Sequence, residues 1–293
     1  MTFDHSKIKS IILAAGQGTR LSPLTNDKPK CMVELFGKSL LQRQIKTFQK
    51  CGISDISLVV GYLGDTIKVP KIKYFQNTDY QNTNMLETLF CAKKQLTDSV
   101  IVSYGDIIFE EKVLNALINS DDDFSIVVDK NWKQYWSLRF KNPLDDAESL
   151  IIDDAEYIQE IGQKTCDINK IQAQYIGLMK FSGDGLTQIK TLYEKFKKMS
   201  KNNTNPLNPN LPFEKSYLTD FLQALIAEGC NLKAIPINGG WLELDSINDY
   251  DLYKKMYDSC ELSKLITIWN RQQFSKKNLE GKLVGACSHV FVT

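Results

Sequence analysis

The densest chemistry in this chain is a glycine loop with cations behind it. Gly16-Gln17-Gly18-Thr19-Arg20 follows the apolar run Ile11–Ala15, and Lys28-Pro29-Lys30 comes soon after. Glycines let backbone N–H groups close on phosphate oxygens, and the peptide dipoles form an anion nest. Arg20 adds a planar fork of donors. Pro29 fixes the backbone before Lys30, so the ammonium is aimed reproducibly. An ammonium held on phosphate neutralises charge that develops in phosphoryl or nucleotidyl transfer. The glycines alone would equally suit a tight turn, and an isolated Lys-Pro-Lys would suit a solvated surface turn. The dinucleotide fingerprint Gly-x-Gly-x-x-Gly fails, because Leu21 stands where its third glycine belongs. A Walker A loop fails too, since no Gly-Lys-Ser/Thr closes the turn.

Transfer chemistry on a polyphosphate also needs acids for a metal. Asp106 follows the apolar run Val100–Ser103 through Tyr104-Gly105. Asp245 ends Gly240-Trp-Leu-Glu-Leu-Asp245, and Glu243 lies two residues before it. Two residues apart in a strand, Glu243 and Asp245 would face the same side. Two carboxylates from distant segments suit Mg²⁺, which takes few protein oxygens and leaves sites for phosphate. A single Asp at a strand end is more often a helix cap, so the metal reading depends on the pair.

The elements that must position these groups follow from periodicity. Ile11–Ala15, Ile56–Val60, Ile72–Phe75, Val100–Ser103 and Phe124–Val128 read as strands. Ser39–Lys50, Met85–Lys94 and Val113–Ile118 read as helices, and Gly52 stops the first. Alternating strands and helices imply a doubly wound, mostly parallel sheet. Its ligand then lies beyond the carboxyl ends of the strands, where Gly16, Gly61 and Asp106 all fall. The second half is less regular. Trp132–Leu138 is aromatic-rich, Tyr157–Ile161, Gln174–Phe181 and Leu232–Ile237 look like strands, and Thr219–Glu228 looks like a helix. Ser246-Ile-Asn-Asp249 reads as a capping-box helix start.

Composition narrows the class. The 293 residues are 43% hydrophobic and 24% charged, enough for one large domain or two small ones. Lys+Arg is 36 against 35 Asp+Glu, which argues against a nucleic-acid partner. No apolar run approaches the ~20 residues of a membrane span. The N-terminus lacks a signal-peptide core. Seven scattered cysteines, none in C-x-x-C, suit reduced thiols in a cytoplasm. The two histidines, His5 and His289, lie near the ends, so a histidine base is not expected.

Leu13-Ala-Ala-Gly-x-Gly-Thr-Arg20-Leu, then Pro23-Leu-Thr25 and Lys28-Pro-Lys30, resembles the signature of nucleoside-triphosphate transferases of the sugar-phosphate nucleotidyltransferase superfamily. Gly61-Tyr62, Gly105-Asp106, Glu160-Ile-Gly-Gln-Lys164, Leu218-Thr-Asp220 and Trp241-x-Glu-x-Asp245 follow in the expected order. Asn82-Thr-Asn84-Met85 replaces the Pro-x-Gly-x-Ala segment of the sugar enzymes. It resembles cytidylyltransferases for phosphocholine and 2-aminoethylphosphonate. Val127–Trp132, Trp136-x-x-Arg139, Asn142–Glu148 and Ala173–Leu178 are most similar to the CTP:phosphoglutamine cytidylyltransferases of capsule phosphoramidate biosynthesis.

That resemblance implies a Rossmann-like mixed, mostly parallel sheet flanked by helices. It implies a transferase domain over 1–257, with the nucleotide on about 1–128 and the acceptor on about 129–257, and an extension at 258–293. CTP, Mg²⁺ and a small phosphorylated acceptor are the implied partners, pyrophosphate the second product, and modification of a cell-surface polysaccharide the implied setting. Leu13, Ala14, Ala15 and Gly16 would line base and ribose, and Gln76 and Asn84 would read cytosine. Gly18, Thr19 and Arg20 would hold the triphosphate, with Gly105 beside it. Lys30 would bridge the two reacting phosphates, and Asp106 and Asp245 would bind Mg²⁺. The acceptor would meet Asp129, Lys130, Trp132, Trp136, Arg139, Glu160, Lys164, Tyr175 and Glu243. Trp136 and Tyr175 would box a quaternary ammonium or be core, while Arg139 with Lys130 would suit a carboxylate. Thr165 replaces the proline of the sugar enzymes' Glu-Lys-Pro, which alters the setting of Lys164. A UTP- or dTTP-dependent sugar-1-phosphate transferase and a non-catalytic nucleotide-binding module are the competing readings. Oligomeric state is left open.

Overall fold

The computed structural model describes residues 7–201 and 204–267. The first half runs β1 (Ile8–Ala14), β2 (Glu34–Leu35), β3 (Lys38–Ser39), α1 (Leu40–Lys50), β4 (Asp55–Val60), β5 (Lys73–Gln76), α2 (Met85–Cys91), β6 (Ser99–Tyr104), β7 (Ile107–Phe109), α3 (Glu111–Ile118) and β8 (Phe124–Asp129). The second half runs α4 (Trp132–Arg139), β9 (Glu148–Ile152), β10 (Ile158–Lys164), β11 (Gln174–Ser182), α5 (Gly183–Ser200), α6 (Leu218–Ala227), β12 (Lys233–Ile237), β13 (Trp241–Glu243) and α7 (Ile247–Asp258).

Seven strands form one sheet in the order β12-β8-β11-β6-β1-β4-β5. Neighbours pair parallel except at β11, which is antiparallel to both β6 and β8. The expected mixed, mostly parallel sheet is therefore the observed one. Strands from both halves of the chain share it.

The sheet is apolar on both faces because helices cover both. Alternation along β1 sends Ile8 and Ile12 into one cluster with Leu40, Ile45 and Phe48 of α1. Ile11 and Leu13 enter the opposite cluster with Leu86 and Leu89 of α2 and Ile189 of α5. Helix α1 starts where the sequence places it. Ser39 accepts from the Gln42 N–H and the Gln42 side chain returns to Ser39, a complete capping box.

Periodicity did not reveal several elements, among them β2, β3, α4, α5, β7 and β9. Helix α5 is the longest, and its buried Leu186, Ile189, Tyr193 and Phe196 have helical spacing, but Gly183 and Gly185 disguise its start. Strand β7 is short and takes its form from a partner distant in sequence, β13, while β9 is a short strand that pairs antiparallel with the next one, β10. The segment Trp241–Asp245 is strand only to Glu243, and Asp245 lies in the turn before α7. Leu262 and Ile266, in the region read as an extension, are buried in the same cluster as α1. Trp269 and the rest of 268–293 fall outside the described residues, as do His5 and His289.

Candidate active site

Strands β1, β4 and β6 run parallel, so their carboxyl ends open on one side. Tight packing of those ends shapes the cleft floor. A Cβ on Gly61 would lie 2.6 Å from the Ala15 carbonyl oxygen, and one on Gly105 would lie 2.7 Å from that of Leu13. Only glycine allows the chain to close on β1 at these two points. A Cβ on Gly16 would meet nothing within 4 Å. The glycine loop thus faces open space, as a phosphate-binding loop requires. Leu13, Ala14 and Ala15 are buried beneath it, while Gly16, Thr19 and Arg20 are exposed.

The loop is built to hold Lys30. Gly18 is left-handed at φ 73°, and a Cβ there would sit 2.9 Å from Cβ of Lys30. The lysine stem therefore lies directly against the glycine. The Thr25 hydroxyl donates to the Gly18 carbonyl at 2.9 Å, pinning the loop from the other side. Pro29 precedes a single 3-10 turn, Lys30–Met32.

Lys30 Nζ lies 2.7 Å from Asp106 Oδ2 and 2.7 Å from Asp245 Oδ1. Arg20 Nη1 lies 2.7 Å from the other Asp245 oxygen. The two cations and two acids singled out in the sequence thus converge on one point. Burial opposes the charge on Lys30, but Asp106, Asp245 and Glu243 outweigh it and raise its pKa above the ordinary lysine value. The ammonium therefore stays charged at neutral pH.

Asp106 Oδ1 is buried and has no hydrogen-bond partner. A buried, orphaned carboxylate oxygen is costly unless something fills its place. Together with Asp245 it is the donor set a divalent cation takes when phosphates complete its shell. Among the described residues no group of three or more His, Cys, Asp or Glu could form an all-protein metal cage. Two carboxylates and an incoming phosphate therefore fit a metal better than a preformed site does.

Three supports hold this constellation. The β7–β13 ladder pairs Glu243 with Ile107, and the Leu244 N–H donates to the Asp106 carbonyl at 2.9 Å, which joins the two acidic segments. Gln44 of α1 is buried. Its amide donates to the carbonyls of Tyr104 at 2.8 Å and Ile107 at 2.6 Å, and its oxygen accepts from Ser103. It clamps the turn that carries Asp106. Asp249 of α7 accepts from the N–H groups of Asp245 and Ser246 at 3.1 and 2.8 Å and so orders the Asp245 turn. Sequence reading gave Asp249 only a capping role and did not single out Gln44.

Residues 10–165 match the MobA-like NTP transferase domain. Over 256 residues the chain is 42% identical to the CTP:phosphoglutamine cytidylyltransferase of Campylobacter jejuni, covering 84% of this chain and 98% of that one. The chain belongs to the MobA-like NTP transferase family. It is a nucleotidyltransferase. A choline-phosphate cytidylyltransferase of Streptococcus pneumoniae is 36% identical over 117 residues, 39% of this chain and 51% of that one. The same fold occurs in the solved CTP:phosphocholine cytidylyltransferase of that organism, with a TM-score of 0.63, 21% identity, and coverage of 86% of this chain and 99% of that one. It also occurs in the inositol-1-phosphate CTP transferase of T. maritima, with a TM-score of 0.65, 20% identity, and coverage of 87% and 97%.

Among the residues expected to meet the acceptor, several have other work. Arg139, expected to meet a substrate carboxylate, donates to Glu243 at 2.7 Å and through Nε and Nη2 to Asp249 at 2.9 and 3.2 Å. Its side chain is 1% exposed, so it is an internal anchor for the acidic strand. Asp129 is buried and accepts from the N–H groups of Asn131 and Gly239 and from the Trp241 indole, so both its oxygens are engaged internally. Trp132 and Trp136 are core residues, and the Trp136 indole donates to Asp146. The aromatic box therefore loses Trp136. Lys130 is exposed, while the guanidinium expected to join it is held by Glu243 and Asp249.

Asn84, expected to read the base, caps α2. Its oxygen accepts from the Met85 N–H and its amide donates to the Lys215 carbonyl. Gln76 is exposed and lines a groove of about 480 Å³ with Gly64, Lys68, Pro70 and Tyr74. Glu160 and Lys164 lie on β10, and Tyr175 packs edge-on against Tyr104 at 5.7 Å.

Glu148, on β9, was not singled out. Burial raises its carboxyl to about 7, with Asp146, Asp220 and Glu243 adding to the shift and Lys164 opposing it. No helix among the described residues is long and apolar enough to cross a membrane.

Proposed function

We propose that this nucleotidyltransferase moves CMP from CTP to a small phosphorylated acceptor and releases pyrophosphate, with Mg²⁺ on Asp106 and Asp245. The observation that carries the reading is Lys30 held between Asp106 and Asp245 beneath an open glycine loop, with Asp106 Oδ1 unbonded. The choice of CTP rests on the two cytidylyltransferase relatives. Phosphoglutamine is the first acceptor to try, because that relative is matched over 98% of its length.

In the proposed step an acceptor phosphate oxygen bonds to the α-phosphorus of CTP while the bond to the β-phosphate oxygen breaks. The nucleophile is already ionised at neutral pH, so the chain need supply no general base. Gly16 and Gly18 present backbone N–H groups to the triphosphate, and Arg20 adds its fork of donors. Lys30 brings a permanent charge to the reacting phosphates, and alignment with neutralisation lowers the barrier. Mg²⁺, when bound, would supply further charge neutralisation on the triphosphate. Residues up to about 128 would hold the nucleotide, and 129–257 the acceptor.

A matrix of nucleotides against acceptors tests this. Pyrophosphate release with CTP, Mg²⁺ and phosphoglutamine, phosphocholine or 2-aminoethylphosphonate is the expected result. Turnover restricted to UTP or dTTP with a hexose 1-phosphate would replace it with the sugar reading, and silence throughout would leave a binding module.

A further inference from the structure

Strand β13 leads to Asp245 with only one strand beside it. Gly240 accepts from the Glu110 N–H and Leu244 donates to the Asp106 carbonyl, both at 2.9 Å, so the even-numbered residues turn their backbone groups toward β7. Glu243 then turns its N–H and C=O to the opposite edge. Among the described residues this sheet has two strands, and no third covers that edge. A buried backbone group without a partner is costly, so these two must be met in another way.

Two phenols take the place of the absent strand. The Glu243 N–H donates to the Tyr135 hydroxyl at 2.9 Å, and the Tyr253 hydroxyl donates to the Glu243 carbonyl at 2.7 Å. The two hydroxyls also bond to each other. Each phenol has one hydrogen to donate. Tyr253 gives its hydrogen to the carbonyl, so Tyr135 must donate to Tyr253. The bonds then run from the Glu243 N–H through both hydroxyls and back to the carbonyl of the same residue, with each donor matched to an acceptor. Both rings are buried, and Tyr135 packs edge-on to Trp241 at 5.2 Å. Tyr135 comes from α4 and Tyr253 from α7, and Arg139 of α4 holds the Glu243 carboxylate at 2.7 Å. Further along the same edge, Asp249 of α7 accepts from the Asp245 N–H. Side chains of two helices therefore close the edge that a strand would otherwise cover.

The Glu243 carbonyl begins the stretch of main chain that leads through Leu244 to Asp245, whose carboxylate holds Lys30 and Arg20. We infer that Tyr135 and Tyr253 are positioning residues for the transfer reaction: their paired hydroxyls fix the Glu243 backbone and, through it, the Asp245 carboxylate at Lys30. The inference rests on Asp245 serving the transfer reading above. Both hydroxyls are engaged in the ring of bonds around Glu243, so they act through the main chain and not on substrate. A displaced Asp245 misaims the ammonium it holds, and catalysis by alignment depends on that aim.

The test compares Tyr135→Phe and Tyr253→Phe with wild type, as full chains, in steady-state turnover. CTP and Mg²⁺ are combined with whichever of phosphoglutamine, phosphocholine and 2-aminoethylphosphonate wild type uses best. Phenylalanine keeps the packed ring and removes only the hydroxyl. Each variant should lose about tenfold or more in kcat, the scale of a small misalignment, with KM for CTP unchanged. In an Asp245→Asn background the same substitutions should lower kcat no further, because the group they place is gone. Amide exchange in the free protein gives a readout without substrate. Peptides spanning 241–246 should exchange faster in both variants, while those of β1 and β6 stay as in wild type. A lowered unfolding midpoint with kcat intact would leave the phenols as packing alone and overturn the assignment. So would an effect of full size in the Asp245→Asn background, or unchanged exchange at 241–246. Wild type that turns over no acceptor with CTP removes the transfer reading and this inference with it.

Discussion

The two ends of the cleft use charge in opposite ways. At the nucleotide end, Arg20, Lys30, Asp106 and Asp245 converge, and one Asp106 oxygen is left over. Around β8 and α4, Arg139 and Asp129 look equally functional by residue type. Every strong contact they make is internal. Residue type therefore does not separate a ligand contact from an internal brace. What separates them is whether hydrogen-bonding capacity remains. By that measure Asp106 keeps an open oxygen, while Arg139, Asp129 and Trp136 hold the walls.

This contrast can be broken by mutation, and the largest effect should come at the nucleotide end. Asp106→Asn keeps the shape and removes the charge. Its kcat should fall about a thousandfold, on the scale of losing one preorganised electrostatic group, with the thermal midpoint little changed. Full activity in that variant would remove Asp106 from the site. Arg139→Met should do the reverse. It strands Glu243 and Asp249 without their counter-charge and should cost about 3–5 kcal/mol in urea unfolding. An Arg139→Met protein of normal stability whose only defect is a raised acceptor KM would return Arg139 to substrate binding. Gln44→Leu lies between the two. Losing the amide removes the Gln44 donor from the Ile107 carbonyl and one of two side-chain donors from that of Tyr104, at about 1–3 kcal/mol. The freed Asp106 turn should also lower kcat while KM for CTP holds. Unchanged kcat in a destabilised variant would show that Gln44 only packs.

Legibility followed the range of the physics. The strand–glycine loop–Lys30 unit was readable because its parts lie close in sequence and each turn residue has a local reason. Ser39 and Ser246 were readable as helix starts for the same reason, and both caps are present. Gln44 was not readable, since a polar residue on an amphipathic helix gives no sign that it faces inward to two backbone carbonyls. Arg139 misled because the guanidinium that suits a substrate carboxylate also suits Glu243 and Asp249. Helix α5 was obscured by its opening glycines, and β7 by its dependence on the remote strand β13.

The sequence by itself determined the sheet class, the glycine loop and the identity of the charged groups, because periodicity, turn chemistry and motif spacing act within a few residues. The tertiary structure alone decided which charges were left open. That depends on which chain ends meet, and the β7–β13 pairing that joins Asp106 to Asp245, like the Arg139 anchor beside it, is a long-range contact with no local signature.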